Sequence, residues 1–437
     1  MTDVMPRRLL VVGSGAREHA LCWRLAREPG VARIIVAPGN ALMHDVAEVH
    51  PEVAVDDPAG LLALARQSEV ELVVVGPEAP LVAGLSDFLG DAGISTFGPS
   101  AAAARLEGSK AFCREVCESA GVAMAEGQAF EEVAPALDFA RSLAGPLVVK
   151  ADGLAAGKGV TVCANAAEAE EHIRAALADG RFGSAGRRVV IERRLEGREV
   201  SVIGLCDGET CVLLPAARDH KRLLEEDRGP NTVGMGAYSP VEDLSRAQLQ
   251  EIACTVHVPV LAEMKRRGAP FRGALYAGLM LTADGPRVLE FNVRLGDPET
   301  QAILARLAVP LAPILAEAAA GELKAPAGTL LPARHEAAVA VSLAAAGYPE
   351  APRAGDLIDG ISAARGAGAL VFGAGVRDDG RGGLLTGGGR VLSVVARGSS
   401  VEEASRMATA AAELVTFAGR QLRTDIGRPA SISGGVS

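Results

Sequence analysis

Positions 290, 292 and 294 of this 437-residue chain are Glu, Asn and Arg. On a β-strand alternate side chains project from one face, so the three would stand in a row about 6–7 Å apart, from ~3.3 Å per residue. A carboxylate, an amide carbonyl and a guanidinium side by side are costly without partners. Mg²⁺ or Mn²⁺ with phosphate oxygens would supply them. Glu290 and Asn292 offer hard oxygen ligands, and Arg294 can clamp a phosphate or carboxylate. The plainer alternative is a strand with one solvent face and an ordinary salt bridge.

A second cluster lies in LVVKADGLAAGKGVTV, residues 147–162. Two β-type runs flank a glycine-rich loop with Lys150 at its entrance and Lys158 inside it. Gly153, Gly157 and Gly159 bring backbone N–H donors close to a triphosphate, and the lysines add mobile positive charge. A surface hairpin with solvated lysines is the bland alternative. Downstream, VVIERRLEGRE (189–199) reads as a strand and a polar hinge, with Glu192 and Glu199 placed to accept hydrogen bonds from adenine or ribose. The stretch RDHKRLLEEDRGPNTVGMGAYSP (218–240) shows no regular period, and long polar loops inside compact domains are often functional. It holds Asp219, Lys221, Asn231 and Thr232; His220 alone reads as structural.

The apolar pattern says which elements position these groups. Runs at 9–12, 33–36 and 71–75 alternate with helical patterns near 17–28 and 58–67, as βαβ units with a parallel sheet do. Their strand ends carry Gly13-Ser14-Gly15, Ala37-Pro38-Gly39-Asn40 and Gly76-Pro77-Glu78, loops where backbone can approach a ligand. Residues 276–301 read as two strands turning at Asp284-Gly285. Leu289, Phe291 and Val293 should face a core, and Asp297-Pro298 should open a helix as N-cap and N1. Ser109 is an N-cap for a helix ending at Gly121, and Ser400-x-x-Glu403 is a capping box for the last helix. The length suits about three domains at roughly 150 residues each.

Composition narrows the classes. Apolar residues make up 49% and charged residues 22%, as in a globular protein. Only 3% are aromatic and the net charge is −10, which argues against stacking or phosphate-tracking on nucleic acid. The seven cysteines are scattered without a CxxC pair and read as free thiols of a reducing cytosol. Apolar stretches reach about ten residues, short of the ~18 that span a membrane. The run after Arg7-Arg8 reads as a strand, not an export signal, because Arg17 and Glu18 interrupt it. A dinucleotide fingerprint fails at Glu18, where a third glycine belongs, and no acidic residue ends the second strand. A Walker-type loop fails at Asp152 and Gly159. The kinase HRD and DFG signatures are absent, as are nucleophile-elbow and zinc motifs.

Taken together, GSGAREHAL (13–21), VAPGN (36–40), VGPEAPL (75–81), KADGLAAGKGV (150–160), DHKR (219–222), GPNTVGMGAYSP (229–240) and EFNVRLGDPETQ (290–301) closely resemble the phosphoribosylamine–glycine ligase family of the ATP-grasp group. The likeness covers essentially the whole chain in order. It implies an α/β and α+β multidomain fold: an N-terminal parallel-sheet domain (1–106), an ATP-grasp domain (107–325, mobile lid about 123–195) and a C-terminal domain (326–437). It implies ATP-dependent joining of glycine to 5-phosphoribosylamine in purine biosynthesis with Mg²⁺ or Mn²⁺, by a cytoplasmic, monofunctional enzyme that is a monomer or weak homo-oligomer with no nucleic-acid or membrane partner. By motif position, Glu290 and Asn292 match the metal ligands. Lys110, Lys150, Gly153, Gly157, Lys158, Gly159, Glu192, Leu195 and Glu199 match nucleotide-binding positions. Gly13, Gly15, Asn40, Gly76, Glu78, Asp219, Lys221, Asn231, Thr232 and Arg294 match substrate-binding positions, with Arg294, Lys158, Asp219 and Lys221 as catalytic groups. Another ATP-grasp carboxylate–amine ligase and a non-catalytic nucleotide-binding relative are the rival readings. Departures from the pattern are Ala16, Arg193 and Val233; a β-branched residue at 233 disfavours φ > 0 in a loop that often has glycine there.

Overall fold

The computed structural model describes residues 5–154 and 159–428. Three apolar runs near the N-terminus become parallel strands buried in the core, the first of them central, and the short Thr96–Phe97 extends the sheet beside the third. With Glu48–Val49 added at one edge, their order is Glu48–Val49, Arg33–Pro38, Arg8–Gly13, Leu72–Val75, Thr96–Phe97. Ser109 caps the helix Lys110–Ala120 by accepting from the Phe112 N–H, and Gly121 ends it at φ +69°.

Two sheets follow, antiparallel except where Thr329–Leu330 pairs parallel with Cys211–Leu213. The first, ordered Gly127–Phe130, Val189–Arg193, Leu147–Ala151, Val160–Cys163, packs with two helices around its own core of Leu137, Leu147, Val149, Ile173 and Ile191. The second, ordered Gly285–Asn292, Arg272–Thr282, Arg198–Asp207, Cys211–Leu213, Thr329–Leu330, shares a larger core with the N-terminal domain. The separate core makes the first sheet a unit that can move without opening the rest.

The 218–240 stretch is not a structureless loop. Arg218–Asp219 and Gly236–Ser239 are strands at one edge of the C-terminal sheet, which continues through Ala337–Ala344, Arg390–Gly398 and Leu370–Gly373. Between them a small hairpin, Arg222–Leu224 with Arg228–Asn231, projects from that edge. Strands this short give no periodic signal, which is why the pattern missed them. At the last helix, Val401–Leu414, only half of the expected box forms: Ser400 accepts from Glu403 N–H, while the Glu403 carboxylate turns to Ser399. No helix among the described residues is long and apolar enough to cross a membrane.

Candidate active site

The row at 290–294 is built by a strand with a defect. Glu290 lies opposite Gly278, but Leu279 lies opposite Val288, so Leu289 is an extra, bulged residue. The parity expected from the sequence therefore breaks. Val288, Phe291 and Val293 enter the core, and Leu289 does not. The bulge leaves the Leu289 carbonyl to accept from Lys150 Nζ at 2.9 Å. Thr282 pairs with Gly285, so the tight turn is Ala283-Asp284, one residue earlier than expected. The following helix begins at Glu299, and Asp297 does not cap it. Asp297 instead pairs with Arg390 at 2.8 Å and accepts from Gln301 at 2.7 Å.

Asn292 Oδ1 accepts from Arg294 Nη2 at 3.3 Å, which places both on one side. Arg294 also reaches Glu78 and Glu107, each at 3.2 Å, and so ties three segments together. Glu290 makes no ion pair among the described residues. Burial works against its charge, yet Lys221, Lys150, Lys110 and Arg294 together hold its carboxyl below the ordinary range. Among the described residues no three His, Cys, Asp or Glu converge as a protein-only metal cage. A small hard cation held by one carboxylate and one amide oxygen, with phosphate and water completing the shell, needs no such cage. Glu290 and Asn292 fit that donor set.

Across the cleft, Lys150 pairs with Glu192 at 2.6 Å, and Glu192 also pairs with Arg114 at 2.7 Å. Glu192, expected to contact a base or ribose, is thus spent on two cations, which hold its carboxyl below the ordinary range despite burial. The Leu195 N–H on the hinge has no protein partner among the described residues. Asp152 fixes the entrance of the glycine-rich loop to the N-terminus of the 110–120 helix, accepting from Ala111 N–H at 2.7 Å and Ser109 Oγ at 3.0 Å. Lys110 donates to the Gly153 carbonyl at 3.2 Å, and burial lowers its pKa. A Cβ on Gly153 would meet Ala185 at 2.5 Å. Gly159 accepts from the Ala151 N–H at 2.7 Å. Gly157 and Lys158 lie outside the described residues.

The 218–232 segment closes a third side. Lys221 pairs with Glu199 at 2.8 Å, joining a substrate candidate to a nucleotide candidate. Thr232 donates through both its N–H (2.7 Å) and its hydroxyl (2.8 Å) to the Lys221 carbonyl, and Asn231 ends the hairpin strand opposite Arg222. Burial pushes Asp219 up to about 7 against the pull of Lys221, and pushes Glu107 up to about 7 against the pull of Arg294. Val233 needs no left-handed backbone; Gly234 takes it, at φ +119°. Arg193 turns outward to Glu126 at 2.9 Å, and Ala16 simply begins a buried helix.

The N-terminal glycines pack closely against Glu18. Cβ atoms at Gly13, Gly15 and Gly76 would fall 2.7, 2.7 and 2.0 Å from atoms of the Glu18 side chain. These glycines make room for a carboxylate of the chain itself. Glu18 Oε2 accepts from the Gly15 N–H at 2.7 Å, filling the helix N-terminus where a phosphate would bind in a dinucleotide fold. Asn40 is likewise engaged with protein: its amide donates to Ser14 and Gly373 carbonyls, both at 2.8 Å, and accepts from Leu42 N–H.

Sequence reasoning missed Glu18, Glu107, Arg114, Asp152 and Asp297 as members of the site's frame. Glu18 and Asp152 carried a signal, each an acidic residue standing where a nucleotide-binding motif wants glycine.

Comparison with known proteins agrees with this layout. Three parts of the phosphoribosylglycinamide synthetase family match: the N domain over residues 7–107, the ATP-grasp (A) domain over 108–300 and the C domain over 338–429. The phosphoribosylamine–glycine ligase of Caulobacter vibrioides is 47% identical over 96% of this chain and 97% of its own length. The crystal structure of the Thermotoga maritima phosphoribosylamine–glycine ligase superposes with a TM-score of 0.79 at 35% identity, covering 96% of this chain and all of that one. A biotin carboxylase domain from Hydrogenobacter thermophilus, described in complex with MgADP, shares the fold at 17% identity, with a TM-score of 0.71 over 96% of this chain and 92% of that one. The chain belongs to the phosphoribosylamine–glycine ligase family.

Proposed function

We propose that this protein joins glycine to 5-phosphoribosylamine, converting ATP to ADP and phosphate and releasing glycinamide ribonucleotide, through a glycyl phosphate. The observation that carries this reading is the convergence of Lys110, Lys150, Lys221 and Arg294 on the field of one carboxylate, Glu290, which makes no ion pair among the described residues.

A carboxylate does not acylate an amine unaided. The glycine oxygen first attacks the γ-phosphorus with loss of ADP; the amine then attacks the acyl carbon with loss of phosphate and a proton. Lys110 and Lys150 neutralise the nucleotide phosphates, and Lys158 adds a third positive charge to the same task. Arg294 meets the transferring phosphoryl group, its plane fixed by Glu78 and Glu107. Glu290 and Asn292 would hold Mg²⁺ or Mn²⁺, which would supply charge neutralisation for the phosphates. Lys221 orients the small substrates, and Asp219, its pKa raised to about 7 by burial, takes the amine proton. Leu195 offers its N–H, and Glu199 its carboxylate, to the nucleoside. Glu192 acts by holding Lys150. Closure of the 123–195 lid excludes water from the acyl phosphate. We assign residues 1–106, 107–325 and 326–437 to the three domains, the central one lending two edge strands to the C-terminal sheet. The site takes soluble small molecules, in keeping with a cytoplasmic enzyme.

The test is ADP release with glycine and freshly generated phosphoribosylamine, omitting each in turn. Release that requires both supports the reading. Release that is indifferent to either substrate overturns it.

A further inference from the structure

The hairpin between Lys221 and Thr232 is held from outside as well as by its own bonds. It turns at Glu226 and Asp227, with φ of +58° and +51°, a left-handed pair usually given to Asn-Gly. Its register shifts between Arg222 and Leu224, and Leu224 is exposed. The support comes from almost 200 residues further along the chain. Arg423 is 1% exposed and is one of the largest fully buried side chains. Its Nη1 donates to the Arg222 carbonyl at 3.1 Å and to Asp227 at 2.7 Å. Its Nη2 meets His220 Nδ1 at 3.2 Å. A two-pronged pairing with Asp425, at 2.8 and 2.7 Å, fixes the guanidinium plane. Asp425 also accepts from the Glu226 N–H at 2.9 Å, at the strained turn itself.

One residue beyond His220 stands Lys221, paired with Glu199 and accepting from Thr232 through its carbonyl. We propose that Arg423 is a positioning residue for the ligase reaction: it locks the 222–231 hairpin and thereby sets Asp219, Lys221, Asn231 and Thr232 at its feet. A lysine keeps the charge but cannot fork to Asp425 while reaching Asp227, His220 and the Arg222 carbonyl together. The inference rests on the reading of 219–232 as the substrate side of the site.

The experiment is steady-state kinetics on full-length Arg423→Lys with each substrate varied, beside a thermal melt. The expected result is a KM for phosphoribosylamine or glycine raised about tenfold or more, the scale of a lost orienting contact, with the KM for ATP within about twofold. Where Arg423→Lys does not accumulate folded, Asp227→Asn, at a half-exposed side chain, gives the same readout with a smaller shift. Unchanged KM values, or all three moving in parallel, overturn the proposal. If wild-type ADP release does not need both small substrates, it is the reading of the site that fails, which separates the two outcomes.

Discussion

Two glycine-rich turns look alike in this sequence and end in opposite conditions. At 13–15 the bare backbone encloses Glu18, whose carboxylate takes the Gly15 N–H and pairs with Arg17, itself bound to the Leu295 carbonyl at 3.1 Å. Residues 153–159 include no acidic residue in the sequence; Asp152 stays at the root of that segment, and Lys110 and Lys150 frame its entrance. Glycine supplies space in both places. The charge that fills the space decides whether the turn is a joint or a ligand site.

That contrast can be broken by substitution. Arg294 ties Glu78 and Glu107 to the metal-ligand strand, and Arg294→Ala should lower kcat by ~10²–10³, the scale for losing one preorganised charge. A loss under about threefold in single-turnover assays removes it from the chemistry. On the ligand side, Lys150→Ala should raise the KM for ATP by ~10–100-fold, from a charged hydrogen bond worth about 1.5–3 kcal/mol. On the joint side, Glu18→Gln should leave that KM alone and instead reduce stability by about 1–3 kcal/mol, read from the denaturation midpoint. An ATP effect at Glu18 comparable with that at Lys150 would erase the distinction.

The smallest effect is one of pH. Glu107 sits beside Arg294 with its pKa raised from 4.5 to about 7. A raised carboxyl pKa means the unfolded chain ionises first, so this contribution to stability is whole below pH 4.5 and is lost as the pH climbs to about 7. Glu107→Gln should make the stability–pH curve shallower over that window in chelator-treated protein. An unaltered slope between wild type and variant would place the titration elsewhere.

Much of this was legible in the chain. The parallel sheet followed from doubly buried apolar runs, and the Ser109–Gly121 helix from its cap residues. The row of Glu290, Asn292 and Arg294 came from strand alternation, though Leu289 broke the alternation through a bulge that no local pattern announces. The charges that surround the row were not legible, because Glu107 and Arg114 become partners only through contacts far apart in sequence. The same holds for Arg423, an arginine near the end of the chain whose significance lies in a hairpin almost 200 residues earlier.

The central claim is that Glu290 and Asn292 share a cation with bound nucleotide, and it is tested most directly by calorimetry of ADP binding with and without Mg²⁺. Mg²⁺ should tighten ADP binding to the wild type by about tenfold or more, and Glu290→Gln should abolish that gain while leaving metal-free ADP binding intact. A Glu290→Gln variant that keeps the full Mg²⁺ enhancement would contradict the account.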